Sequence, residues 1–569
     1  MSTSLISQAG IKARDTSIHI NDNVSFRGFV SARGVSHFLG VQFARIPARF
    51  RQAQLVSPES LDGIIDATRY GPVAPQPPDG SRSARGHLFA GAPAANLEQS
   101  EFDCLRLNIY APPTEVVSSG DRGKVPVVVW IHGGGLTIEN GNADFSGDFL
   151  VEHSIKNGKP IVFVSINYRM GAFGFMSSSE LIEEAVQHGE AGWANQGLRD
   201  QRLALQWVNN YIHLFGGDSA QITIVGESAG AWSVLAHLRS DQALCQRGIM
   251  QSAPSWSMLR PEEAQDRFDS MVKRTGLPHT ASAPEKLAAL RSVPIEDLVD
   301  WNGGLTSPIW DPKWFVGHTT PEAPLDCPEP FPSWVKGIVA GTMRDEMAIF
   351  GFAKLWRTKE SVLSSLHNAL SLSDDPSFCD DVLREYGVSD ATTDQAAVNA
   401  FITLVADACF SRVPFNLASA CSGSSTSNSP ALYLYRFDQP DEGETSPLKG
   451  SAFHALDNAY MARYPAVAAP TAPHSCRATA DMFSQMMLRH AYGEAPWDSY
   501  LDSLSGADSS LSRQSRARFV FEGDHSRLEN VGHAETSRWE RFLTSEERVN
   551  TFSRLFFKLI DARPQEVQP

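Results

Sequence analysis

A serine stands where an apolar strand runs into a helical segment near the middle of the chain. Ser228 lies in GESAG, between Gly226 and Gly230, with the run ITIV before it and AWSVLAHL after it. A serine on so sharp a strand-to-helix turn projects its hydroxyl above a sheet, and the flanking positions need glycine because a side chain there would clash. The N-terminus of the following helix favours negative charge that develops nearby. The pattern predicts Ser228 as a nucleophile that attacks a carbonyl carbon.

Such a serine needs a base that takes its proton and donors that hold the oxyanion of the attacked carbonyl. The apolar run VVVWI ends in HGGG, residues 132–135, whose glycine N–H groups can be aimed without interference from side chains. We expect the N–H groups of Gly134 and Gly135 to act together with that of Ala229. Without GESAG in the same chain, HGGG would be interpreted as a flexible turn.

The elements around these motifs indicate an α/β protein. Short β-branched runs alternate with helical or glycine-rich segments between residues 127 and 225, which is typical of a sheet covered by helices. The runs VVVWI and IVFVSI are too continuously apolar for half-solvated strands, so they predict central strands. We expect ITIV, IMQSA and GIVAGT to form further strands.

Helical spacing of apolar residues predicts two helices. One lies between the second and third strands, and the other lies close to the end of the chain, where we expect it to pack on the body of the protein. The residues at helical spacing are Leu198, Leu205, Val208 and Ile212 in the first, and Val549, Phe552, Phe556 and Leu559 in the second. Residues 74–96, 422–430 and 502–516 have the composition of loops.

Composition narrows the class of protein. The chain has 569 residues, of which 42% are hydrophobic, and a net charge of −16. This hydrophobic content excludes general disorder, and the negative charge disfavours nucleic acid as a partner. The seven cysteines include no closely spaced pair, and neither a secretory leader nor a membrane-spanning run is visible. We expect a cytoplasmic protein with no membrane span.

Seven blocks of sequence resemble, in the same order, the type-B carboxylesterases, a family that includes the cholinesterases and many fungal lipases. The blocks are FLGVQFARIP, DCLRLNIY, HGGGL, SINYRMGAFGF, ANQGLRDQRLALQWV, FGGDSAQITIVGESAG and GTMRDE. The resemblance implies an α/β-hydrolase fold, a central and mostly parallel sheet flanked by helices, with large insertions that form a gorge and a lid. It also implies a single domain over residues 1–569, a serine carboxylesterase working through an acyl-enzyme, and a fungal, intracellular member.

The resemblance proposes the other two members of a Ser-Glu-His triad. The acid of the family follows a strand in a GT-x-x-DE block, which points to Glu346, with Asp345 as the alternative. The base of the family lies in a glycine-led loop a little over 100 residues later, which points to His454, with His474 as the nearest alternative. The family usually has glycine after this histidine, whereas Ala455 follows it here.

Other departures gather near the expected entrance of the site. Secreted members have a disulfide from the cysteine of the EDCL block to one upstream, but Cys104 is the first cysteine of this chain. We therefore expect the lid loop, around residues 75–96, to be untethered. Trp232 and Leu136, beside the catalytic blocks, either reshape a substrate pocket or pack in the core, and Phe350, Phe352 and Trp356 either line the gorge or are buried.

Three functions remain open on these grounds. The first is hydrolysis of a small-molecule ester, with no metal or organic cofactor, in detoxification or secondary metabolism. The second keeps the acyl-enzyme but transfers the acyl group to an alcohol or amine, as in an acyltransferase or a lactone-forming enzyme. The third is a noncatalytic binding protein on the same scaffold, which the presence of all the catalytic residue types disfavours. The sequence leaves the oligomeric state undetermined.

Overall fold

A computed structural model describes most of the chain. The described residues are 12–78, 85–89, 97–118, 123–190, 192, 194–302, 306–315, 320–321, 323–327, 329–370, 375–422, 429–500, 516–532 and 538–561. The predicted loop at 502–516 lies outside them apart from its last residue, and the other two predicted loops are described only in part.

One mixed sheet of thirteen strands forms the centre of the described structure, and a two-stranded sheet (β4 and β5) lies apart from it. The strands are β1 Lys12–His19, β2 Val24–Ser31, β3 Ser36–Gln42, β4 Ala44–Arg45, β5 Gln54–Leu55, β6 Gly63–Asp66, β7 Arg106–Ala111, β8 Val125–Ile131, β9 Val162–Ile166, β10 Gly217–Glu227, β11 Arg247–Gln251, β12 Gly337–Met343, β13 Ala431–Phe437, β14 Ala517–Phe521 and β15 Arg527–Asn530.

The middle of the sheet is parallel and its margins are mostly antiparallel. The order is β1-β2-β3-β7-β9-β8-β10-β11-β12-β13-β14-β15, and the seven strands from β9 to β14 run parallel. Every residue of β8, β9 and β12 is buried, because helices cover both faces of a parallel sheet. The central strands predicted from continuous apolar runs are therefore confirmed.

Helices cover the sheet and fill the long connections. They are α1 Thr114–Ser118, α2 Asp148–Lys156, α3 Gly171–Phe175, α4 Ser179–Gln187, α5 Gln196–Tyr211, α6 Ala229–Leu238, α7 Pro261–Arg274, α8 Ala283–Ser292, α9 Ile295–Asn302, α10 Phe352–Leu355, α11 Lys359–Leu370, α12 Phe378–Glu385, α13 Asp394–Ala406, α14 Val413–Ser422, α15 Asp457–Met461, α16 Pro465–Ala468, α17 His474–Ala491, α18 Glu546–Ser553 and α19 Leu555–Asp561.

Both predicted helices are present. The first is α5, which spans Gln196–Tyr211 and so includes three of the four residues predicted at helical spacing. The second is divided into α18 and α19, and its residues Phe552, Phe556 and Leu559 are buried against the body of the protein, as expected.

Among the described residues, one helical stretch, Asp394–Cys421, has the length and apolar character to cross a membrane. Its most apolar window is 61% buried inside the protein. Burial of this kind is typical of a core helix, and the residues of this stretch pack in the helical layer beside α11 and α19.

Candidate active site

Ser228 occupies a strained turn between β10 and α6. Its φ is 55° and its ψ is −125°, a conformation that costs a non-glycine residue about 1–3 kcal/mol. The N–H of Ser228 donates to the carbonyl of Gln251 at the end of the neighbouring strand, with 2.9 Å between nitrogen and oxygen. A Cβ on Gly226 would lie 2.4 Å from the carbonyl carbon of Gly230, and one on Gly230 would lie 2.1 Å from the Ile131 oxygen. Both flanking positions therefore require glycine, as the sequence predicts.

The HGGG loop lies directly against this turn. A Cβ on Gly133 would come within 3.2 Å of the Ser228 Cβ and 2.6 Å of the Glu227 carbonyl oxygen. Gly134 and Gly135 have φ of 85° and 61°, in the left-handed region that glycine tolerates. The loop follows β8 at the carboxyl edge of the sheet, which is also where β10 ends.

Hydrogen bonds fix the loop through its carbonyl groups. The Gly134 oxygen accepts from the N–H groups of Thr137 and Ile138, each at 3.0 Å, and the Gly135 oxygen accepts from that of Thr306 at 3.1 Å. In contrast, the N–H groups of Gly134, Gly135 and Ala229 donate no hydrogen bond to any residue that the structure describes. The structure thus brings the three predicted donors to one turn and leaves them available.

Glu346 and His454 are joined by a hydrogen bond. Nδ1 of His454 lies 2.6 Å from Oε2 of Glu346, and both side chains are buried. The other carboxylate oxygen, Oε1, accepts from the N–H of Met343 at 2.8 Å, which fixes the orientation of the acid. A buried carboxylate on one ring nitrogen sets the tautomer and the direction of the other nitrogen.

The two alternative residues lie elsewhere. Asp345 pairs with Arg344 at the surface and accepts from the N–H of Ala452 at 2.8 Å. His474 is exposed and lies 3.1 Å from Asp524. Among the described residues, no side-chain hydrogen bond or ion pair joins either residue to Ser228, Glu346 or His454.

Nε2 of His454 points toward the turn that holds Ser228. It lies 3.0 Å from Oε1 of Glu227, but the two atoms are not aligned as a hydrogen bond, and neither has another partner among the described residues. Burial by itself lowers the pKa of His454, but the carboxylates of Glu227 and Glu346 outweigh it and raise the pKa above its ordinary value. Nε2 of His454 therefore lies beside Glu227, the residue directly before Ser228, and both carboxylates favour the protonated ring.

The residue after His454 has an unusual backbone conformation. Ala455 is buried and has a φ of 70°, in the left-handed region that L side chains adopt at a cost of roughly 1–2 kcal/mol. This conformation explains why glycine suits the position. It also shows that this chain keeps the turn despite its alanine.

Asp457 is a buried acid that the sequence analysis did not single out. Its Oδ2 accepts from the Tyr435 hydroxyl at 2.9 Å. Burial raises the pKa of Asp457 to about 7, and the nearby carboxylates of Glu227 and Glu346 add to that rise. The only signal in the sequence was position, because Asp457 stands three residues after the predicted base and Glu227 stands directly before the predicted nucleophile.

Aromatic rings surround the histidine. The ring centroids of Phe350 and Phe410 lie 5.3 Å and 4.6 Å from that of His454. Phe350 is half-buried, so it keeps an accessible surface beside the site, whereas Phe352 and Trp356 are buried and stack on each other 4.8 Å apart. Phe352 and Trp356 therefore take the buried alternative, whereas Phe350 lies beside the site.

Trp232 and Leu136 both belong to the main apolar core and are fully buried. Of the two alternatives that the sequence left open for these side chains, packing in the core is therefore the one observed. Leu136 has a φ of 58°, and its carbonyl accepts from the N–H of Gly171 at 2.7 Å.

The middle of the lid loop is held in place, which corrects the prediction that the loop is untethered. Cys104 has a free thiol, so the disulfide is absent as predicted. However, Arg85 is buried and forms an ion pair with Glu139, just beyond the HGGG loop. His87 Nε2 lies 2.8 Å from Oδ2 of Asp441. The Arg85–Glu139 ion pair and the His87–Asp441 contact thus hold residues 85–89, and nothing in the sequence of the loop indicated these partners.

Glu139 is itself clamped from the other side. Its N–H donates to Gln76 Oε1 at 2.7 Å, and its carbonyl accepts from Gln76 Nε2 at 2.9 Å. These two bonds hold Glu139 at a φ of 82°. The base of the lid loop and the end of the HGGG loop are therefore one connected unit.

Comparison with known proteins identifies the family. The profile described as "Carboxylesterase family" matches residues 22–516. The chain belongs to the carboxylesterase family. The predicted family is therefore confirmed, and the extent of the match agrees with the resemblance found along most of the sequence.

The similar proteins of this family include esterases, a cholinesterase and lipases. The chain is 30% identical to a para-nitrobenzyl esterase of Bacillus subtilis over 74% of its own length and 78% of that protein. It is 34% identical to an acetylcholinesterase of Bungarus fasciatus over 58% of its length and to lipase 2 of Diutina rugosa over 46%. These last two matches span only about half of each relative, 53% and 48% respectively.

A solved structure of a PNB esterase has the same architecture. It superposes with a TM-score of 0.68 at 25% identity and covers 92% of this chain and 98% of its own. The predicted α/β-hydrolase fold, with a mostly parallel sheet and flanking helices, is therefore confirmed. The single domain over residues 1–569 stays a prediction.

Proposed function

We propose that the protein hydrolyses carboxylic esters of small molecules through an acyl-enzyme on Ser228, with His454 as the base and Glu346 as the acid that orients it. The observation that carries the proposal is the Glu346–His454 hydrogen bond, together with the second ring nitrogen of His454, which is buried next to the Ser228 turn, lies 3.0 Å from Oε1 of Glu227 and forms no hydrogen bond with a described residue. Family membership and the names of the relatives support the same reaction class.

In the first step, Ser228 Oγ bonds to the ester carbonyl carbon while its proton moves to Nε2 of His454. The carbonyl oxygen takes the negative charge and accepts hydrogen bonds from the free N–H groups of Gly134, Gly135 and Ala229. The carbon–oxygen bond to the alcohol then breaks, and His454 returns the proton to the departing oxygen. Glu346 stabilises the imidazolium cation throughout.

In the second step, a water molecule loses a proton to His454 and attacks the acyl carbon. The bond to Ser228 Oγ breaks, the serine recovers its proton, and the carboxylic acid leaves. The balance of atoms and charges is closed by the ester, one water molecule, Ser228 and His454. Ser228 and Nε2 of His454 form no hydrogen bond in this structure, and such bonds often tighten only when substrate is bound.

An active-site probe tests the proposal. A fluorophosphonate should label one peptide, the one that contains Ser228, as read by mass spectrometry of the folded protein. Nitrophenyl ester hydrolysis should disappear in Ser228→Ala and His454→Gln, whereas the surface variant His474→Gln serves as the matched control and should keep wild-type rates. A folded protein that takes up no probe, or a Ser228→Ala variant that keeps its activity, contradicts the proposal.

Product analysis separates hydrolysis from acyl transfer. With an added primary alcohol, a hydrolase releases mainly the free acid, whereas an acyltransferase releases mainly the new ester. We propose hydrolysis, and a dominant transfer product at millimolar alcohol would overturn that part alone.

We also propose that the protein works in the cytoplasm. None of the seven cysteines forms a disulfide in the described structure, and burial raises the pKa of Cys104 and of Cys245 to about 12, which keeps these two thiols protonated and inert. Fractionation of cells that express the full-length chain, with thiol counting of the recovered protein, tests this. Recovery from the secreted fraction would contradict it.

A further inference from the structure

A short segment in the middle of the lid loop contacts two different loops of the candidate active site. Within residues 85–89, the Arg85 guanidinium pairs with Glu139, which follows the HGGG loop. On the other side, His87 Nε2 lies 2.8 Å from Oδ2 of Asp441, in the loop that leads to the catalytic base. Because Arg85 and His87 are two residues apart, a single turn of chain joins the HGGG loop to the loop of the base.

The Glu139 side chain lies directly against the expected oxyanion site. A Cβ on Gly134 would come within 2.9 Å of Cγ of Glu139, so the stem of this side chain touches the backbone of an expected donor. Two hydrogen bonds with Gln76 hold the Glu139 backbone at its φ of 82°. The ion pair with Arg85 then fixes the direction of the carboxylate. The neighbour that supports Gly134 is thus held at its backbone and at its charged end.

The contact on the other side reaches the start of the base loop, residues 441–454. The N–H of Asp441 donates to the carbonyl of Ser451 at 3.0 Å, and the carbonyl of Asp441 accepts from the N–H of Gly450 at 2.8 Å. These two bonds close the loop, and the catalytic base follows Ser451 by three residues. His87 therefore contacts the residue at which the base loop is closed.

The segment between the two loops is itself built into the protein. Leu88 is buried and belongs to the same apolar cluster as Phe453, the residue directly before the base. The turn also packs against α16. Burial lowers the pKa of Arg85 and the carboxylate of Glu227 opposes this effect, so the guanidinium also interacts with the acid that directly precedes Ser228.

We propose that Arg85 is a positioning residue for ester hydrolysis, which fixes the HGGG loop relative to the base loop by holding Glu139 against Gly134. The proposal rests on the proposed function, because it concerns the oxyanion site of that reaction. A pair between an arginine and a carboxylate is directional as well as strong. The oxyanion donors must be aimed at the oxygen on which charge develops, and a displacement of about 1 Å can cost about 10²-fold in rate.

Kinetics and inhibitor binding of Arg85→Met test the proposal. We expect kcat to fall by about 10²-fold while KM stays within about twofold, because the lost interaction belongs to the transition state. Rates are expressed per active site, titrated to completion with a fluorophosphonate, so that unfolded protein does not count. A trifluoromethyl ketone, which forms an oxyanion adduct with Ser228, should bind about 10²-fold more weakly. An ether analogue of the ester, which has no carbonyl group, should bind as tightly as it does to the wild type.

Arg518→Met is the matched control. Arg518 is also buried and also pairs with a glutamate, Glu529, but between β14 and β15 at the margin of the sheet. This variant should lose stability and keep its kcat. Arg85→Lys keeps a positive charge beside Glu139 and should retain at least about tenfold more kcat than Arg85→Met. Glu139→Gln should show the same split between kcat and KM, and it carries the test if Arg85→Met does not fold.

The outcomes separate this inference from the proposed function. A folded Arg85→Met variant with the kcat of the wild type, or with equal losses of affinity for the ketone and the ether, overturns the inference and leaves the proposed function intact. An equal loss of kcat in Arg518→Met would assign the effect to lower stability and would also overturn it. A wild-type protein with neither hydrolysis nor an adduct on Ser228 overturns the proposed function itself.

Discussion

Oε2 of Glu346 lies 2.6 Å from Nδ1 of His454, although 108 residues separate the two along the chain. Glu346 follows β12 and His454 follows the longer connection after β13, the next strand of the parallel sheet. Adjacent parallel strands deliver their carboxyl ends to one edge, so the sheet itself brings acid and base together.

Replacement of Glu346 by glutamine should abolish most of the activity. An amide cannot stabilise the imidazolium and can reverse the preferred tautomer, so we expect kcat to fall by about 10³–10⁴ with little change in KM. Steady-state hydrolysis of a nitrophenyl ester measures this. Asp345→Asn, in the adjacent surface carboxylate, should stay within about twofold of wild type, and equal losses in the two variants would show that the acid has been misassigned.

Replacement of Glu227 by glutamine should move the pH profile. The Glu227 carboxylate stabilises the imidazolium and so contributes to the raised pKa of His454. The neutral imidazole of His454 is the base, so protonation of the ring below its pKa produces the acid limb of the kcat/KM profile. Because Glu227→Gln removes a carboxylate that favours the protonated ring, it should lower the pKa of His454 and shift the acid limb to lower pH. A limb that moves to higher pH, or does not move, would contradict the electrostatic role of Glu227.

Gly134→Ala should damage the oxyanion site. The added Cβ would lie 2.2 Å from the Ile138 oxygen, so the loop must shift and its N–H groups lose their direction. We expect kcat to fall by about 10²–10³, as for loss of one oxyanion donor. Gly158→Ala is the control, because Gly158 also has a positive φ of 69° but open space around its Cα. The Gly158→Ala variant should be less stable than the wild type but equally active. A similar loss of kcat in Gly134→Ala and Gly158→Ala would show that backbone strain, and not the oxyanion site, causes the effect.

Ala455→Gly should stabilise the protein. Glycine relieves the strain at φ of 70°, and although it is less ordered in the unfolded chain, we expect a net gain of about 0.5–1 kcal/mol in unfolding free energy with kcat retained. Urea denaturation measures the gain. Ala455→Val should be destabilised and should lower kcat, because a β-branched residue at this φ displaces His454. The reverse order of the two variants would show that the turn does not need a left-handed residue.

The lid ion pair should show strong coupling. Arg85→Met leaves Glu139 buried without its charge partner, which should cost about 3–5 kcal/mol in unfolding free energy, whereas Arg85→Met combined with Glu139→Met should recover most of that loss. Urea denaturation of the wild type, both single variants and the double variant completes the cycle. If the losses simply add, the pair does not anchor the lid loop.

Much of the chemistry was predictable from local sequence. The GESAG turn, the HGGG loop and the central strands depend on neighbouring residues, since steric needs of a turn and burial on both faces of a strand leave a direct signature in the chain. The choice of Glu346 over Asp345 and of His454 over His474 came from the resemblance to a family. Neither residue has a local pattern that distinguishes it.

The lid shows where such prediction fails. The missing cysteine partner of Cys104 correctly predicted a free thiol, but it did not predict that Arg85 would find Glu139. Two side chains that are distant in sequence can form an ion pair at any separation along the chain. The sequence therefore has no pattern that predicts such a pair, and only the folded structure shows it. For the same reason, the C-terminal segment was predicted as a helix packed on the body, and the contacts of its rings were not foreseen.

The sequence by itself determined the reaction class, because the nucleophile and the oxyanion glycines each sit in a contiguous motif whose backbone geometry is local. The tertiary structure decided what lies around them. Glu227 and Asp457 are buried acids beside the Glu346–His454 pair, Ala455 takes a strained φ, and Phe557 packs on Trp256, which lies 301 residues earlier in the chain. Each of these contacts joins residues that are close in space but not in sequence. Packing around the sheet brings them together, and no local pattern in the sequence records it.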